Sequence, residues 1–322
     1  MAEPNSYPGD EGWERDALQK IALAAIQEQR RARHWGILFK LLLFIYLFAL
    51  LFVFLGWVGG KDALPGKHTA MVEVRGVIAP DSMASADNIV AGLEEAFKAS
   101  GTQGVILRIN SPGGSPVQAG HINDQIRRLR AKYPNIPLYA VVEDICASGG
   151  YYVAVAADRI YVDKASMVGS IGVLMNGFGF TGIMDKLGIE RRLLTAGENK
   201  GFLDPFSPVR EPEKEYAQKM LNDIHQQFIT VVRQGRGQRL KETPDMFSGL
   251  VWVGARSVEL GLADGLGSIE YVAREVIKAE DIVDFTPREN IAERFAKRFG
   301  AAMAETFFRL MGPEALSQLA PR

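Results

Sequence analysis

Cysteine is almost absent from this sequence. The chain of 322 residues contains one, Cys146, so it can form no internal disulfide and no zinc site built from several thiolates. Cys146 lies two positions before a serine, in an apolar run, and we interpret it as a small core side chain rather than a reactive thiol. A single cysteine does not indicate whether the protein works in an oxidising or a reducing compartment.

Histidine is scarce as well, with four in the chain. His34 adjoins a long apolar run and His68 lies in a linker, whereas His121 and His225 fall in predicted helices without an acidic neighbour at an informative spacing. A serine hydrolase mechanism of the Ser-His-Asp type needs a histidine beside the nucleophile. The sequence does not exclude such a triad, but it singles out no histidine for it.

Net charge is nearly zero. The 37 Lys and Arg balance 38 Asp and Glu, for a net charge of −1, so no overall field attracts nucleic acid and we expect no such partner. Apolar residues make up 47% of the chain, which is typical of folded proteins. The length suits a short N-terminal element followed by one domain of about 200–250 residues, or by two small ones.

Charged side chains are also missing from residues 36–58, apart from Lys40. As a helix this run is about 35 Å long, enough to cross a hydrocarbon core of about 30 Å. It is too long for a signal peptide, and no A-x-A cleavage site follows it. Because Arg30, Arg31 and Arg33 precede it, we expect a single-pass anchor in a bacterial inner membrane, with a cytoplasmic N-terminus and an extracytoplasmic main domain.

The rest of the chain alternates between apolar runs and helical periods, which predicts an α/β domain with mainly parallel strands. The predicted strands are Ala70–Ile78, Gly104–Ile109, Leu138–Val142, Arg159–Val162 and Arg191–Thr195. The predicted helices are Ser85–Ala99, Pro116–Lys132, Ser148–Ala157, Phe178–Leu187 and Pro212–Gln234, after a solvated or interfacial helix at 13–34.

Residues 287–311 have the spacing of an amphipathic helix, either a packing or oligomer-contact helix or one that lies on the membrane surface. The predicted organisation is therefore a cytoplasmic segment (1–35), a transmembrane anchor (36–58), a linker (59–69), the α/β domain (70–280) and a C-terminal amphipathic helix with a tail (281–322).

Two glycine-bearing turns follow apolar strands. In the first, RINSPGGS, Gly114 lies where a backbone N–H can face a negatively charged oxygen. In the second, DICASGGYYVA, Ser148 ends a strand just before a helix, as the serine of a nucleophile elbow does, and Gly149 provides a second N–H. Alternatively, Ser148 is a plain helix N-cap and the first turn is a tight connection or a phosphate cradle.

A serine nucleophile needs a base, and Lys200 is the alternative to histidine. It lies in the glycine-bracketed loop TAGENKGFLDPFSP, close in sequence to Phe202, Leu203 and Phe206. Lysine amines are protonated in water, but burial in an apolar pocket favours the neutral form that can accept a proton. An exposed loop lysine is the alternative interpretation of the same residue.

At this point the motifs resemble the signal peptide peptidase A (protease IV) family, S49, in its short single-domain bacterial form. The resemblance covers about residues 70–275 and is carried by RINSPGGS, DICASGGYYVA, VGSIGV and TAGENKGFLDPFSP, with GLVWVGARSVELGLADGLG as a closing segment. It implies Ser148 as nucleophile, Lys200 as general base, Ser170 as the hydroxyl that positions the lysine amine, and Gly114 and Gly149 as the oxyanion hole.

The same resemblance implies a ClpP/crotonase-like fold, a spiral of ββα units, after a single transmembrane helix. It implies no metal and no organic cofactor. Expected substrates are remnant signal peptides and other small or unfolded membrane-associated peptides. The expected assembly is a homo-oligomer, an octamer in the dome-shaped form, in which serine and lysine come from one chain or from adjacent chains.

Two other functions fit parts of the sequence. The first is a catalytically inactive scaffold of the same fold that holds peptides without cutting them. The second is a crotonase-like acyl-CoA enzyme with the same oxyanion turns, in which Lys200 has no evident role and which finds no CoA outside the cytoplasm. The sequence favours a membrane-anchored serine endopeptidase with a Ser-Lys dyad.

Overall fold

A computed structural model describes residues 13–54 and 66–287. These residues fall into two compact units, one containing the N-terminal helix and the other containing residues 66–287.

The N-terminal unit contains one continuous helix, α1 (Trp13–Phe54), of 42 residues. No proline interrupts this stretch, so the helix predicted at 13–34 runs directly into the apolar run. Its segment Leu18–Phe52 has a mean hydropathy of 2.3 in its most apolar window, none of which is buried, and is long and apolar enough to cross a membrane. The predicted anchor covers residues 36–58, and its last residues, 55–58, lie outside the described part of the chain.

The second unit is built around one mixed sheet of eight strands in the order β6-β5-β3-β2-β1-β8, with β4 beside β3 and β7 beside β4. All pairs are parallel except β5 with β6. The strands are β1 (His68–Arg75), β2 (Thr102–Ser111), β3 (Leu138–Ala147), β4 (Arg159–Val162), β5 (Met167–Gly169), β6 (Val251–Val253), β7 (Gly265–Leu266) and β8 (Ile282–Asp284).

The helices of this unit connect the parallel strands and cover the sheet. They are α2 (Ala86–Lys98), α3 (Pro116–Lys132), α4 (Gly149–Ala154), α5 (Thr181–Leu187), α6 (Glu211–Arg236), α7 (Gly254–Glu259) and α8 (Ile269–Tyr271), which continues as a π-helical turn at Val272–Ile277. Three of them begin with serine caps, since the hydroxyls of Ser85, Ser115 and Ser268 accept hydrogen bonds from the amides of Asn88, Gln118 and Tyr271.

The main core lies between the sheet and helices α2, α3, α4 and α6. Alternate residues of β2, such as Leu107 and Ile109, enter this core, and Ile106 packs on the opposite face against the α8 region. Strands buried on both faces are apolar almost throughout, which is why they appear in the sequence as continuous apolar runs. The predicted α/β class is therefore confirmed.

One predicted strand is wrong. Residues 191–195 form no strand but an irregular, exposed stretch, in which Leu194 is 97% exposed. An apolar run becomes a strand only beside a partner strand, and this one has none within the described residues. At the other end, β8 follows residue 280 and pairs with β1, so the sheet includes residues beyond the predicted boundary of the α/β domain. The predicted helix at 287–311 lies almost entirely outside the described residues.

Helix α6 is fixed at its C-terminal end by Arg236, which is buried. Its guanidinium donates to the carbonyl of Gly261 and to Asp264 Oδ2, both at 2.8 Å. Burial alone would raise the pKa of Asp264, but the hydrogen bond and the charge of Arg236 hold it below its usual value. The pair ties α6 to the segment before β7.

The same helix approaches α4 so closely that only glycine fits at position 235. A Cβ built on Gly235 would lie 2.2 Å from the carbonyl oxygen of Val155. We expect Gly235→Ala to lower the free energy of unfolding by about 1–3 kcal/mol, because the backbone must move to remove the overlap. Thermal unfolding of the full chain in detergent measures this. Gly120→Ala on α3 is the matched control, with nothing within 4 Å of its added methyl, and a thermal midpoint for Gly235→Ala equal to that of the control would contradict the prediction.

Candidate active site

The first glycine turn follows β2 and is held against the residues after β1. Gly113 and Gly114 have φ values of 101° and 150°, and Gly114 forms a parallel bridge with Ile78. The bonds of this bridge run from the Ile78 amide to the Gly113 carbonyl and from the Ser115 amide to the Ile78 carbonyl, each 2.8 Å. The N–H of Gly114 therefore takes part in neither hydrogen bond of this bridge.

The second turn holds Ser148 in a strained backbone conformation. With φ 51° and ψ −123°, Ser148 is a non-glycine residue in left-handed φ space, which costs on the order of 1–3 kcal/mol. The turn is fixed because the Ser148 amide donates to the Gly169 carbonyl at 2.8 Å and the Ser148 carbonyl accepts from Tyr152 at 2.9 Å. Strain of this kind is concentrated at functional sites.

The hydroxyl of Ser148 makes no helix-capping hydrogen bond. Ser85 and Ser115, which occupy the same position before α2 and α3, both do. The plain N-cap interpretation of Ser148 is therefore wrong, and its half-buried hydroxyl is available for other contacts.

The two glycine turns approach each other beside this hydroxyl. A Cβ built on Gly149 would lie 3.2 Å from the amide nitrogen of Gly114, and one on Gly113 would lie 2.7 Å from both the Gly149 nitrogen and the Ser148 Cβ. Gly149 is the first residue of α4, where a backbone N–H has no partner inside the helix. Two backbone donors thus lie close together next to a serine, an arrangement suited to stabilising an oxyanion.

Ser170 ends the neighbouring strand, β5, and is strained in the same way, with φ 50°. Because Ala147 and Gly169 are register partners in β3 and β5, the two serines that follow them lie at the same edge of the sheet. The Ser170 amide donates to the Leu250 carbonyl at 2.7 Å, so the segment before β6 helps to hold it.

These residues share a cavity of about 580 Å³. Ser148, Ser170, Gly114 and Gly149 all line it, and every lining residue is uncharged. Its apolar walls come from α3, α4, the chain after Ser170 and α6, and include Ala119, Tyr152, Val173, Leu174, Ile224 and Phe228. The sequence had indicated Ile224 and Phe228 as one face of a helix, but nothing in it identified that face as a cavity wall.

A larger hollow of about 860 Å³ lies on the opposite face of the sheet and has no comparable nucleophile. The charged and polar side chains that line part of it bind one another: Arg108 pairs with Glu143, and the Asn110 amide donates to Asp144 at 2.8 Å. We therefore assign the chemistry to the smaller cavity, where the strained serines lie.

Lys200 does not line the cavity of its own chain. It lies in what we call the exposed arm, residues 173–210, a described segment in which no residue is buried. The arm folds on itself, since the Phe180 amide donates to the Pro205 carbonyl at 2.7 Å and the rings of Phe180 and Phe206 stack at 5.3 Å. A single chain thus brings together four of the five predicted site residues and leaves the lysine exposed.

The described residues contain no better base. None of the histidines lines the cavity. His121 is exposed on α3, His68 is buried beside Thr102, and the Nε2 of His225 lies 3.1 Å from the Ile171 carbonyl. Cys146 is fully buried, and burial raises the pKa of its thiol, which makes it a core side chain as expected. Among the described residues, no cluster of His, Cys, Asp and Glu is arranged to hold a metal ion.

Residues 130–283, which include both strained serines and the lysine, match the model of peptidase family S49. This part of the chain matches a peptidase family S49 domain. The resemblance indicated by the sequence motifs is thereby confirmed, and the α/β sheet is of the kind that this family implies.

Named relatives agree with the family. The putative signal peptide peptidase SppA of Enterococcus faecium is 26% identical over 234 residues, which cover 70% of this chain and 67% of that protein. A putative protease of Methanocaldococcus jannaschii is 33% identical over 203 residues, 62% of this chain and 64% of that protein. These names support a peptidase.

A further match carries a different name. The Na(+)/H(+) antiporter NhaA of Brucella melitensis is 45% identical over 177 residues, which cover 55% of this chain but 24% of that protein. The chain thus spans about a quarter of the length of this relative. A match of that extent shows that the two proteins are similar over one segment. It does not extend the antiporter activity to this chain.

Proposed function

We propose that this S49 peptidase is a membrane-anchored serine endopeptidase in which Ser148 is the nucleophile and Lys200 the general base. The observation that carries the proposal is the strained, uncapped Ser148 beside the amides of Gly114 and Gly149, in a cavity with uncharged walls. A strained serine, two backbone N–H donors and uncharged cavity walls together suit acyl transfer.

The reaction follows from these positions. As Ser148 Oγ attacks the scissile carbonyl carbon, its proton passes to the neutral Lys200 amine, and the oxyanion accepts hydrogen bonds from the N–H groups of Gly114 and Gly149. The carbon–nitrogen bond then breaks, and the lysine returns the proton to the leaving amine. Water then attacks the resulting acyl ester and gives a proton to the lysine. The lysine passes this proton to Ser148 Oγ as the acid product leaves. No cofactor takes part.

Ser170 is proposed to position the lysine amine. It ends the strand next to that of Ser148 and lines the same cavity, so its hydroxyl is well placed to accept a hydrogen bond from an amine that enters there. Its strained backbone supports a role of this kind, because such conformations persist only where the surroundings fix them.

We further propose that Lys200 enters the cavity of an adjacent chain in a homo-oligomer. In one chain the lysine is exposed, and the arm that carries it presents large apolar side chains to solvent, a feature of surfaces that bind other proteins. These side chains are Leu174, Met175, Phe178, Phe180, Ile183, Leu187, Ile189, Leu193, Leu194, Phe206 and Val209. An octamer is the proposed form, and burial against a neighbour provides the apolar setting that a neutral amine needs.

The proposed substrates are signal-peptide remnants and other small or unfolded membrane peptides. Uncharged cavity walls suit the apolar side chains of such peptides, and one relative is named a putative signal peptide peptidase. Helix α1 has the length and composition of an anchor. The arginines before residue 36 favour an inner-membrane topology with residues 1–35 in the cytoplasm and the peptidase domain, from about residue 70 to 280, outside it.

One observation favours an alternative, a catalytically inactive peptide-binding scaffold: the base lies outside the cavity of its own chain. The full chain in detergent distinguishes the two. We expect it to hydrolyse a quenched fluorescent signal peptide and to be labelled at Ser148 by a serine-reactive acylating reagent, as read by peptide mass mapping. Peptide binding without hydrolysis and without labelling would establish the scaffold instead.

A further inference from the structure

Helix α6 connects the two strained serines. On one side, Phe228 packs against Tyr152 of α4 with ring centroids 5.1 Å apart, and the Tyr152 amide binds the carbonyl of Ser148. On the other side, His225, one helical turn before Phe228, lies with its Nε2 3.1 Å from the carbonyl oxygen of Ile171. The residue before Ile171 is Ser170. One face of α6 therefore contacts the segment after Ser170 directly and the Ser148 turn through Tyr152.

The contact of His225 has a definite direction. A carbonyl oxygen only accepts hydrogen bonds, so the Nε2 of His225 carries a hydrogen and donates a hydrogen bond to the carbonyl oxygen of Ile171. The imidazole is half-buried, and the side chain of Ile171 is fully buried, so the bond lies in a packed region.

The Ser170 turn is held from two directions. From the β6 side, the Leu250 carbonyl accepts from the Ser170 amide at 2.7 Å, and the chain at Gly249 runs so close that a Cβ on Gly172 would lie 3.2 Å from its Cα. From the α6 side, His225 donates a hydrogen bond to the carbonyl of Ile171, the residue after Ser170. Of these contacts, His225 provides the one side-chain donor, so it can be changed without altering the backbone of the turn.

We propose that His225 is a positioning residue for Ser170: by fixing the Ile171 carbonyl, it keeps the left-handed Ser170 backbone in place and the serine hydroxyl directed into the cavity. This inference rests on the proposed peptidase function. A hydroxyl that must meet a lysine amine tolerates little displacement, and misplacement by about 1 Å can cost on the order of a hundredfold in rate.

The test compares His225→Leu, which removes the donor, with His225→Gln, whose amide nitrogen replaces Nε2, in the wild-type and Ser170→Ala backgrounds. Hydrolysis of the fluorescent signal peptide by the full chain in detergent gives kcat and KM, and thermal unfolding ensures that each variant is assayed while folded. His121→Leu, an exposed histidine on α3, is the control.

We expect His225→Leu to lower kcat about 10–100-fold with little change in KM, and His225→Gln to restore most of the loss. In the Ser170→Ala background, His225→Leu should cost less than about twofold more, because both changes remove the same interaction. Undiminished kcat in His225→Leu, failure of His225→Gln to restore activity, or losses that multiply with Ser170→Ala would each overturn the positioning role. Absence of hydrolysis by the wild-type chain would instead overturn the peptidase function itself, and this role with it.

Discussion

Replacing Ser148 by alanine is expected to abolish peptide hydrolysis while leaving the fold unchanged. Loss of a serine nucleophile removes the covalent pathway, and comparable losses reach on the order of a millionfold in kcat. The methyl group of alanine fits where the Ser148 Cβ already lies, and no capping bond is lost, because the hydroxyl makes none. The thermal midpoint should therefore stay within about 2 °C of the wild type, since a change below 0.5 kcal/mol moves it by no more than that.

Ser85→Ala is the matched control for this change. Ser85 occupies the same position before α2, but its hydroxyl accepts a hydrogen bond from the Asn88 amide. Its removal should cost about 1 kcal/mol of stability and no activity, the reverse of the effect at Ser148. Quenched-peptide hydrolysis and thermal unfolding of both variants measure the contrast. Hydrolysis at the wild-type rate by Ser148→Ala would show that this serine is not the nucleophile.

Replacing Lys200 by alanine is expected to lower kcat by about 10³–10⁴-fold, the upper range for loss of a general base. Lys200→Arg should be equally inactive, because a guanidinium does not give up its proton in a protein and cannot act as a base. Lys186→Ala is the control: it changes another exposed lysine of the same arm, on α5, and should leave hydrolysis unchanged.

The proposed pairing between chains makes a second result testable. Neither Ser148→Ala nor Lys200→Ala should hydrolyse peptide alone, but an assembly that contains both combines an intact serine from one chain with an intact lysine from its neighbour. Co-expression of the two variants is therefore expected to restore part of the activity. If the mixed assembly remains inactive while Lys200→Ala alone has lost its activity, the serine and lysine of one chain must act together.

Local sequence signals predicted the regular elements well where the chain is buried. Helix α3 and strand β4 have the predicted bounds, Pro116–Lys132 and Arg159–Val162, because a capping serine, a proline at the first turn and a buried apolar run each act locally. The strand predicted at Arg191–Thr195 failed because pairing depends on a neighbour that a local pattern does not reveal.

The candidate site was predictable in its residues but not in its geometry. Motif resemblance indicated Ser148 and Ser170, yet their left-handed backbones depend on the carbonyls of Gly169 and Leu250, the latter 80 residues after Ser170. His225 gave no signal, because its partner is a backbone carbonyl, which any sequence provides. Contacts of this kind are fixed by how distant segments pack, and a sequence pattern does not contain them.

The position of Lys200 outside its own cavity has a consequence for the cell. If α1 anchors the chain in a bilayer and the lysine comes from a neighbouring chain, as proposed, a newly inserted polypeptide has no working catalyst and cannot cleave the other proteins around it. Cutting then begins only once enough copies have met, so the rate per molecule rises with its density in the bilayer. Dilution of the chains would therefore separate the serine from the lysine and end hydrolysis.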